Sequence, residues 1–131
     1  MYASCEPQTR KEQWRVLSDR KRLLRARYMI AGDFNDILSN EEIWGGVVRE
    51  ERSFKDFKDF MDQNSLIDIR FEGHPSTWSN HWDNEGEVRQ RLDRCLCSFE
   101  WFQTFGKARC QHIDTYASDH SRLLLDTVPD K

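Results

Sequence analysis

The segment YMIAGDFNDILSNEE, residues 28–42, joins a short apolar run to a cluster of carboxylates and carboxamides. Its apolar part, Tyr28–Ala31, ends at Gly32. A short apolar run bounded by a glycine is typical of a buried strand, so the sequence predicts a strand that opens into a polar loop. The polar side chains that follow are Asp33, Asn35, Asp36, Asn40, Glu41 and Glu42.

This polar loop does not match the calcium-binding loop of an EF-hand. That loop needs oxygen-bearing side chains at its first, third and fifth positions and glycine at the sixth. Counted from Asp33, the third position is Asn35, but the fifth is Ile37 and the sixth is Leu38. An apolar side chain at a ligand position and the lack of a turn glycine argue against a calcium loop.

The composition is that of one folded domain with a heavily solvated surface. The chain has 131 residues, of which 37% are hydrophobic and 33% charged, with eight Phe, five Trp and three Tyr. This length suits a single domain, and the aromatic content argues against disorder. Residues 1–30 carry eight Lys or Arg and three Asp or Glu, whereas the other residues carry 12 and 20. The basic segment 10–27 is therefore either a nucleic-acid-binding surface or, as charge alone favours, a solvated helix face.

The cysteine pattern predicts reduced thiols. Cys5, Cys95, Cys97 and Cys110 match neither a disulfide framework nor the spacing of a zinc module, so we expect them to be buried as small hydrophobic side chains. No N-terminal apolar run resembles a signal peptide, and no segment has the ~20 apolar residues that span a bilayer. We therefore expect an intracellular protein, nuclear or cytoplasmic, that is not secreted and has no membrane partner.

Hydrophobic periodicity predicts two helices in the first half of the chain. The first spans residues 8–24, with Trp14, Leu17 and Leu24 on one face. The second begins at Ser53, which has capping-box spacing to Asp56, and ends at 64–65. Its apolar stripe consists of Phe54, Phe57, Phe60 and Met61.

The remaining segments predict a long loop and several strands. We expect the loop over residues 36–52 and strands over 66–69, 76–80, 88–98 and 122–126. In the strand 88–98, Val88, Leu92 and Leu96 would share one face, and Arg91, Asp93, Cys95 and Cys97 the other. An aspartate beside two cysteines would be half-buried and would need a partner. Helices and strands mixed in this way predict an α/β or α+β sandwich.

Three short polar motifs stand beside strand-like runs, so one sheet edge could collect them: GDFN (32–35), RLD (91–93) and SDH (118–120). Attack of water on a phosphodiester would use such a set, because carboxylates can activate water or hold Mg²⁺ and a cationic histidine can contact a phosphate oxygen. Asp and Asn at strand ends are also common turn formers. The histidine spacing does not suit zinc, and adjacent Ser118, Asp119 and His120 cannot form a serine triad.

Four motifs in order, IAGDFN, STWSN, RLDRCLCS and SDHSRLLLD, resemble the C-terminal half of the endonuclease/exonuclease/phosphatase superfamily, which includes DNase I. The chain is also similar to the endonuclease domains of plant LINE-type retroelements, through YASCEPQTRKEQW, GDFNDIL, TWSN and RLDR. The resemblance covers about residues 2–126 and implies a partial domain over 1–131. The implied fold is α/β: a DNase I-like layered β-sandwich flanked by helices, truncated in its N-terminal half.

The resemblance also implies roles for individual residues. Asp33 would activate the water or leaving group, and Asn35 would aid the transition-state geometry. Asp93 would pair with His120, which would contact the scissile phosphate. Asp119 would assist binding of Mg²⁺ or Mn²⁺. With Asp33 and Asn35 as the site residues of the opening segment, we expect Asp36, Glu41 and Glu42 to be surface or loop carboxylates. A nucleic-acid groove is implied for Trp78, Asn80 and Arg91, although Trp78 suits the core equally well.

The implied activity is Mg²⁺-dependent hydrolysis of phosphodiester bonds in nucleic acid, most simply DNA. The metal-binding glutamate of the superfamily has no counterpart here, and Glu6 matches none of its motifs. We therefore expect weak or lost activity in this chain and a partner segment that supplies the missing half. Three alternatives remain: a non-catalytic nucleic-acid-binding remnant, a phosphatase for a small phosphate ester, and a retroelement-derived fragment without a selected function.

Overall fold

Nine strands and three α-helices form a mixed α/β structure, which a computed structural model describes for residues 1–20, 27–82, 86–115 and 118–128. The helices are α1 (Pro7–Arg20), α2 (Lys55–Gln63) and α3 (Phe99–Thr104), and short 3₁₀ helices span Asn40–Glu42 and Glu51–Phe54. The strands are β1 (Met29–Asp33), β2 (Ile43–Trp44), β3 (Ile67–Asp68), β4 (Phe71–Glu72), β5 (Trp78–Ser79), β6 (Arg89–Gln90), β7 (Asp93–Cys97), β8 (Arg109–Ile113) and β9 (Arg122–Asp126).

The strands form three small sheets. The central sheet has the order β1-β7-β3, the hairpin sheet β2-β6-β5, and the outer sheet β4-β8-β9. Pairing is antiparallel throughout except between β4 and β8. None of the described helices has the length and apolar character needed to cross a membrane.

The central sheet is buried on both faces because successive side chains on a strand point in opposite directions. Leu96 of β7 packs with the aromatic residues of α1 and α2, among them Trp14 and Phe57. Its neighbours Cys95 and Cys97 pack on the other side, against Cys110 of the outer sheet. The helices, the central sheet and the outer sheet therefore form successive layers, as expected for an amphipathic helix pair and two sheets.

The predicted strand at residues 28–31 is confirmed as β1, which continues through Gly32 to Asp33. Gly32 has φ of 141°, a conformation that favours glycine, and a Cβ there would lie 2.0 Å from the carbonyl oxygen of Met1. Residues 1–3 run along this edge, where Ala3 N donates to Asp33 O at 2.7 Å. Glycine is thus required at position 32, because any Cβ there would prevent residues 1–3 from lying against β1.

The helix predictions are confirmed in position and wrong in detail. α1 carries the predicted Trp14 and Leu17 toward the core, and Leu24 lies outside the described residues. The four residues of the α2 stripe are all buried. The capping box at Ser53 is wrong, because α2 begins after Phe54 without a side-chain cap and the Ser53 hydroxyl donates to Glu50 O at 2.6 Å.

The predicted strand 88–98 is wrong as a single element. β6 ends at Gln90 and β7 begins at Asp93, and the amides of both Leu92 and Asp93 donate to the hydroxyl of Thr77. This break changes the side-chain phase, so Arg91 does not share a face with Asp93. The predicted loop 36–52 contains a 3₁₀ helix and β2, and the sequence did not indicate α3, β4 or β8.

Candidate active site

Three of the sequence-predicted site residues meet where the central sheet approaches the hairpin sheet. Asp33 and Asp93 are register partners at the paired ends of β1 and β7. His120 comes from the segment before β9, which is held on β5 by a bridge between Trp78 and His120 and by a 2.7 Å hydrogen bond from Ser121 N to Thr77 O. Backbone pairing therefore assembles the three side chains from distant parts of the sequence.

Asp33, Asp93 and His120, here named the aspartate–histidine cluster, form a hydrogen-bonded arrangement. His120 Nδ1 donates to Asp93 Oδ2 at 2.7 Å, and His120 Nε2 lies 3.7 Å from Asp33 Oδ2. The two aspartates are 8% and 7% exposed, whereas the histidine side chain retains 35% exposure. The imidazole can thus present its Nε2 edge to a solute while Asp93 fixes the ring.

The cluster perturbs the protonation of its members. Burial and the neighbouring charge of Asp93 raise the pKa of Asp33, against the opposing hydrogen bond from the Asn35 amide. The hydrogen bond to Asp93 raises the pKa of His120, with smaller contributions from the charges of Asp93, Asp33 and Asp119. A carboxyl and an imidazole whose pKa values are both raised, at one cavity, are candidates for proton transfer.

Asn35 lies beside the cluster in a left-handed backbone conformation, with φ of 52°. Its backbone amide donates to Asp33 Oδ1 at 2.8 Å, and its side-chain Nδ2 donates to Ala3 O at 3.3 Å. Non-glycine residues rarely adopt this conformation, and asparagine is among those that tolerate it. The turn therefore orients the Asp33 carboxylate through the backbone amide of Asn35, and the predicted role of Asn35 in transition-state geometry stays a prediction.

A cavity of about 550 Å³ opens over the cluster, and we name it the cluster cavity. Asp33, Asn35, Trp78 and His120 line it together with Gln90 and Leu92 of the β6–β7 junction. Arg10 and Arg49 stand at the same cavity and both pair with Asp36, which is 2% exposed. Asp36 thus lies in a loop, which is one of the two predicted positions, but it is not a surface carboxylate, because two guanidinium groups compensate its burial.

Asp119 is near the cluster but not part of it. Its side chain is 70% exposed, and its Oδ1 lies 3.5 Å from Nε2 of His81. His81 has φ of 56° and also contacts Ser118 O through Nε2 at 3.3 Å. No sequence motif singles out His81, because only the fold brings it beside the 118–120 motif.

Two residues expected in a nucleic-acid groove are placed elsewhere. The Asn80 side chain closes its own turn, since its Oδ1 accepts from Val88 N at 3.0 Å and its Nδ2 donates to Gly86 O at 3.0 Å. Arg91 is 7% exposed, and its guanidinium donates to Asp68 and Glu42. Neither lines the cluster cavity, whereas Trp78 does. The prediction that Asn80 and Arg91 bind nucleic acid stays a prediction.

Among the described residues, one group of side chains has the donor types and spacing to hold a metal ion. It is the aspartate–histidine cluster, whose ligand atoms lie within 4.8 Å of one another. Carboxylate oxygens suit Mg²⁺ or Mn²⁺, but Asp93 and His120 already satisfy each other by a hydrogen bond. Asp33, whose Oδ1 accepts a hydrogen bond from the backbone amide of Asn35, is therefore the best metal donor of the three.

No protein-family model matches the chain, and no curated protein is significantly similar to it. What the fold and the site define is thus a mixed α/β protein with a hydrogen-bonded aspartate–histidine pair and a second buried aspartate at one cavity.

Proposed function

We propose that the aspartate–histidine cluster hydrolyses phosphodiester bonds in nucleic acid, in the manner of the endonuclease/exonuclease/phosphatase superfamily. The observation that carries the proposal is the 2.7 Å hydrogen bond between His120 and Asp93 with Asp33 opposite the free imidazole nitrogen. That resemblance predicts this pairing from two motifs that lie 27 residues apart. A layered sandwich of the DNase I type is part of the same proposal.

Each residue of the cluster has a chemical role in the proposed reaction. His120, kept protonated by Asp93, donates a hydrogen bond to a non-bridging phosphate oxygen and stabilises the charge that grows there. Asp33, whose pKa burial raises, accepts the proton of the attacking water as the water oxygen bonds to phosphorus. The P–O bond to the leaving oxygen breaks in the same displacement, and that oxygen takes a proton from solvent. Asn35 holds the Asp33 carboxylate through its backbone amide.

A divalent cation fits the chemistry of the donors but is weakly provided for. Asp33 would hold Mg²⁺ or Mn²⁺ at the cluster cavity through its carboxylate, and Asp119 would assist only through an exposed carboxylate. When bound, the ion would offset the negative charge of the phosphate. Because these donors are few, we expect the isolated chain to bind the metal weakly and to hydrolyse slowly.

The sparse metal donors also favour a second candidate, a nucleic-acid-binding protein without catalysis. In that case binding to DNA would weaken steeply with salt and would need no divalent cation. A companion segment that supplies a metal carboxylate would move the protein from this second candidate to the first.

The test is cleavage of an activated diester, bis(p-nitrophenyl) phosphate, with increasing Mn²⁺ or Mg²⁺. The proposal expects slow metal-dependent hydrolysis that Asp33→Asn and His120→Gln abolish. Asp62→Asn is the matched control, because that aspartate is exposed at the end of α2 and remote from the cavity. No metal-dependent hydrolysis, or an equal rate in Asp33→Asn, would contradict the proposal.

A further inference from the structure

A second cavity adjoins the cluster cavity, and the two share only Trp78 and His120 among their described lining residues. The hairpin sheet separates them. Trp78 and Gln90 are cross-strand partners, and Gln90 lines the cluster cavity. Ser79 and Arg89 are also cross-strand partners and line the second cavity. Because cross-strand partners point to one face and sequence neighbours to opposite faces, Gln90 reaches the cluster cavity on one face of the hairpin sheet, and Ser79 and Arg89 reach the second cavity on the other. Trp78 and His120 contribute to both cavities at the β5 edge.

Of the two residues common to both cavities, His120 is the one that would contact a phosphate. It lies on the β5 edge of the hairpin sheet, through its bridge to Trp78, and contributes to both cavity walls. A ligand whose phosphate contacts His120 can therefore extend in two directions around that edge. Only a chain-like molecule can occupy both cavities at once. A small phosphate ester whose phosphate contacts His120 has no further group to place in the second cavity.

The chemistry of the second cavity suits a sugar–phosphate backbone. Serine and threonine provide half of its described lining residues, and Arg89 is its one side chain of permanent positive charge. Arginine, serine and threonine are the usual donors to phosphate and sugar in nucleic-acid complexes. The volume of about 240 Å³ is smaller than typical sites for drug-sized ligands, so it would hold a backbone unit rather than a whole nucleotide.

The remaining charges leave Arg89 able to act. Its side chain is 37% exposed and pairs through Nε with Glu87 at 2.9 Å. The Asp119 carboxylate also lines the cavity, is exposed, and lies with its Oδ1 3.5 Å from His81 Nε2. Asp114 also lines the cavity, is exposed and would oppose a bound phosphate. Removing the charge of Arg89 should therefore weaken phosphate binding, whereas removing the charge of Asp114 should strengthen it.

We propose that the second cavity binds the backbone phosphate next to the scissile one, through Arg89 and the neighbouring hydroxyls. This inference rests on the proposed function and makes its substrate a polynucleotide rather than a small phosphate ester. Ser118, which is exposed and lines the cavity, shows how a hydroxyl would contribute: its Oγ accepts from His120 N at 3.2 Å, which leaves the hydroxyl proton for a phosphate oxygen.

The test measures binding of a fluorescein-labelled DNA strand of about twelve nucleotides by anisotropy, in EDTA and at several salt concentrations. Arg89→Gln should raise the Kd about tenfold at low salt and reduce the slope of log Kd against log salt by about 0.7, as expected for one lost phosphate contact. Asp114→Asn should lower the Kd about threefold. A dinucleotide with one phosphodiester, followed by NMR of the His120 ring, should bind equally to all variants.

Arg109→Gln is the matched control, because Arg109 is also a strand arginine that pairs through Nε with a glutamate, Glu72, at 2.7 Å, and it lines neither cavity. If Arg89→Gln and Arg109→Gln change the Kd and salt slope equally, or if the strand does not bind, the inference fails. Hydrolysis of bis(p-nitrophenyl) phosphate is measured in parallel. If the wild-type protein does not hydrolyse the diester but Arg89→Gln still changes the Kd and salt slope for DNA, the proposed function alone is contradicted. If the wild-type protein hydrolyses the diester but Arg89→Gln changes neither quantity, this inference alone is contradicted.

Discussion

Two groups of buried charge originate from the same RLDR motif and differ in how completely their charges are paired. Arg91 and Arg94 form an ion-pair network with Glu42 and Asp68, with two guanidinium groups facing two carboxylates at 2.8–3.2 Å. Asp93, between these arginines in sequence, belongs instead to the aspartate–histidine cluster. That cluster has two carboxylates and one imidazole, so its charge is not balanced.

The pKa directions express this difference. Burial alone would raise the pKa of Glu42, but the hydrogen bond and charge of Arg94 outweigh it and lower that pKa below the ordinary value. In the cluster, burial and Asp93 prevail and raise the pKa of Asp33. A complete set of partners stabilises the charged forms and serves the fold, whereas an incomplete set leaves a group ready for proton transfer.

The largest effect is expected from breaking the ion-pair network. Arg94 is fully buried, and Arg94→Ala would leave Glu42 and Asp68 with unpaired charge in the interior. The free energy of unfolding should fall by about 3–5 kcal/mol. Urea denaturation measures it, with Arg109→Ala at an outlying ion pair as the control, for which we expect a loss below about 1 kcal/mol. Equal losses in the two variants would show that the network is not structural.

The cluster should respond in the opposite direction. The pKa of Asp33 is raised in the folded chain, so its ionisation lowers the stability of the fold when the pH is above the ordinary pKa of 3.8. Asp33→Asn removes this cost, and the melting temperature at pH 7 should therefore rise by a few degrees. Phosphodiester hydrolysis should fall by about 10²–10⁴-fold. In contrast, Asp36→Asn should lower the melting temperature, because Asp36 is paired with Arg10 and Arg49. A lower melting temperature in Asp33→Asn would remove the distinction between the two groups.

The point at which the two groups separate depends on Thr77. Its hydroxyl accepts hydrogen bonds from Leu92 N at 2.9 Å and Asp93 N at 3.0 Å, where β6 gives way to β7. Thr77→Val keeps the shape but leaves two buried amides without acceptors, which should cost about 1–3 kcal/mol of folding free energy. Thr77→Ser, which retains the hydroxyl, should recover most of that loss in the same denaturation experiment.

The smallest effect is a pH dependence of stability. Asp93 faces His120 on one side, and Asp33 and Asp119 also act on it; together they raise its pKa above 6.5. The resulting stabilisation is complete below pH 6.5 and is lost as the pH rises through the folded-state value. Melting temperatures in EDTA should show this decline, and Asp93→Asn should reduce it. An unchanged pH profile in Asp93→Asn would contradict the pairing.

The sequence was sufficient to predict β1, α2, β9 and the meeting of Asp33, Asp93 and His120. Each prediction depended on a local apolar period or on the resemblance. Both kinds of signal can be recognised within one short segment of sequence, without knowledge of long-range contacts. The role of Arg91 was not predictable, because it depends on a two-residue break between β6 and β7 that Thr77 creates from a distant position. Likewise the burial of Asp36 required Arg10 and Arg49, whose proximity exists only in the folded chain.

The central claim is that the unbalanced cluster is a phosphodiester-cleaving site, and nicking of supercoiled plasmid DNA with Mg²⁺ or Mn²⁺ tests it most directly. We predict slow nicking that EDTA stops, that Asp33→Asn and His120→Gln abolish and that Asp62→Asn leaves unchanged. Binding of DNA without metal-dependent nicking, or nicking that persists in Asp33→Asn, would contradict the claim.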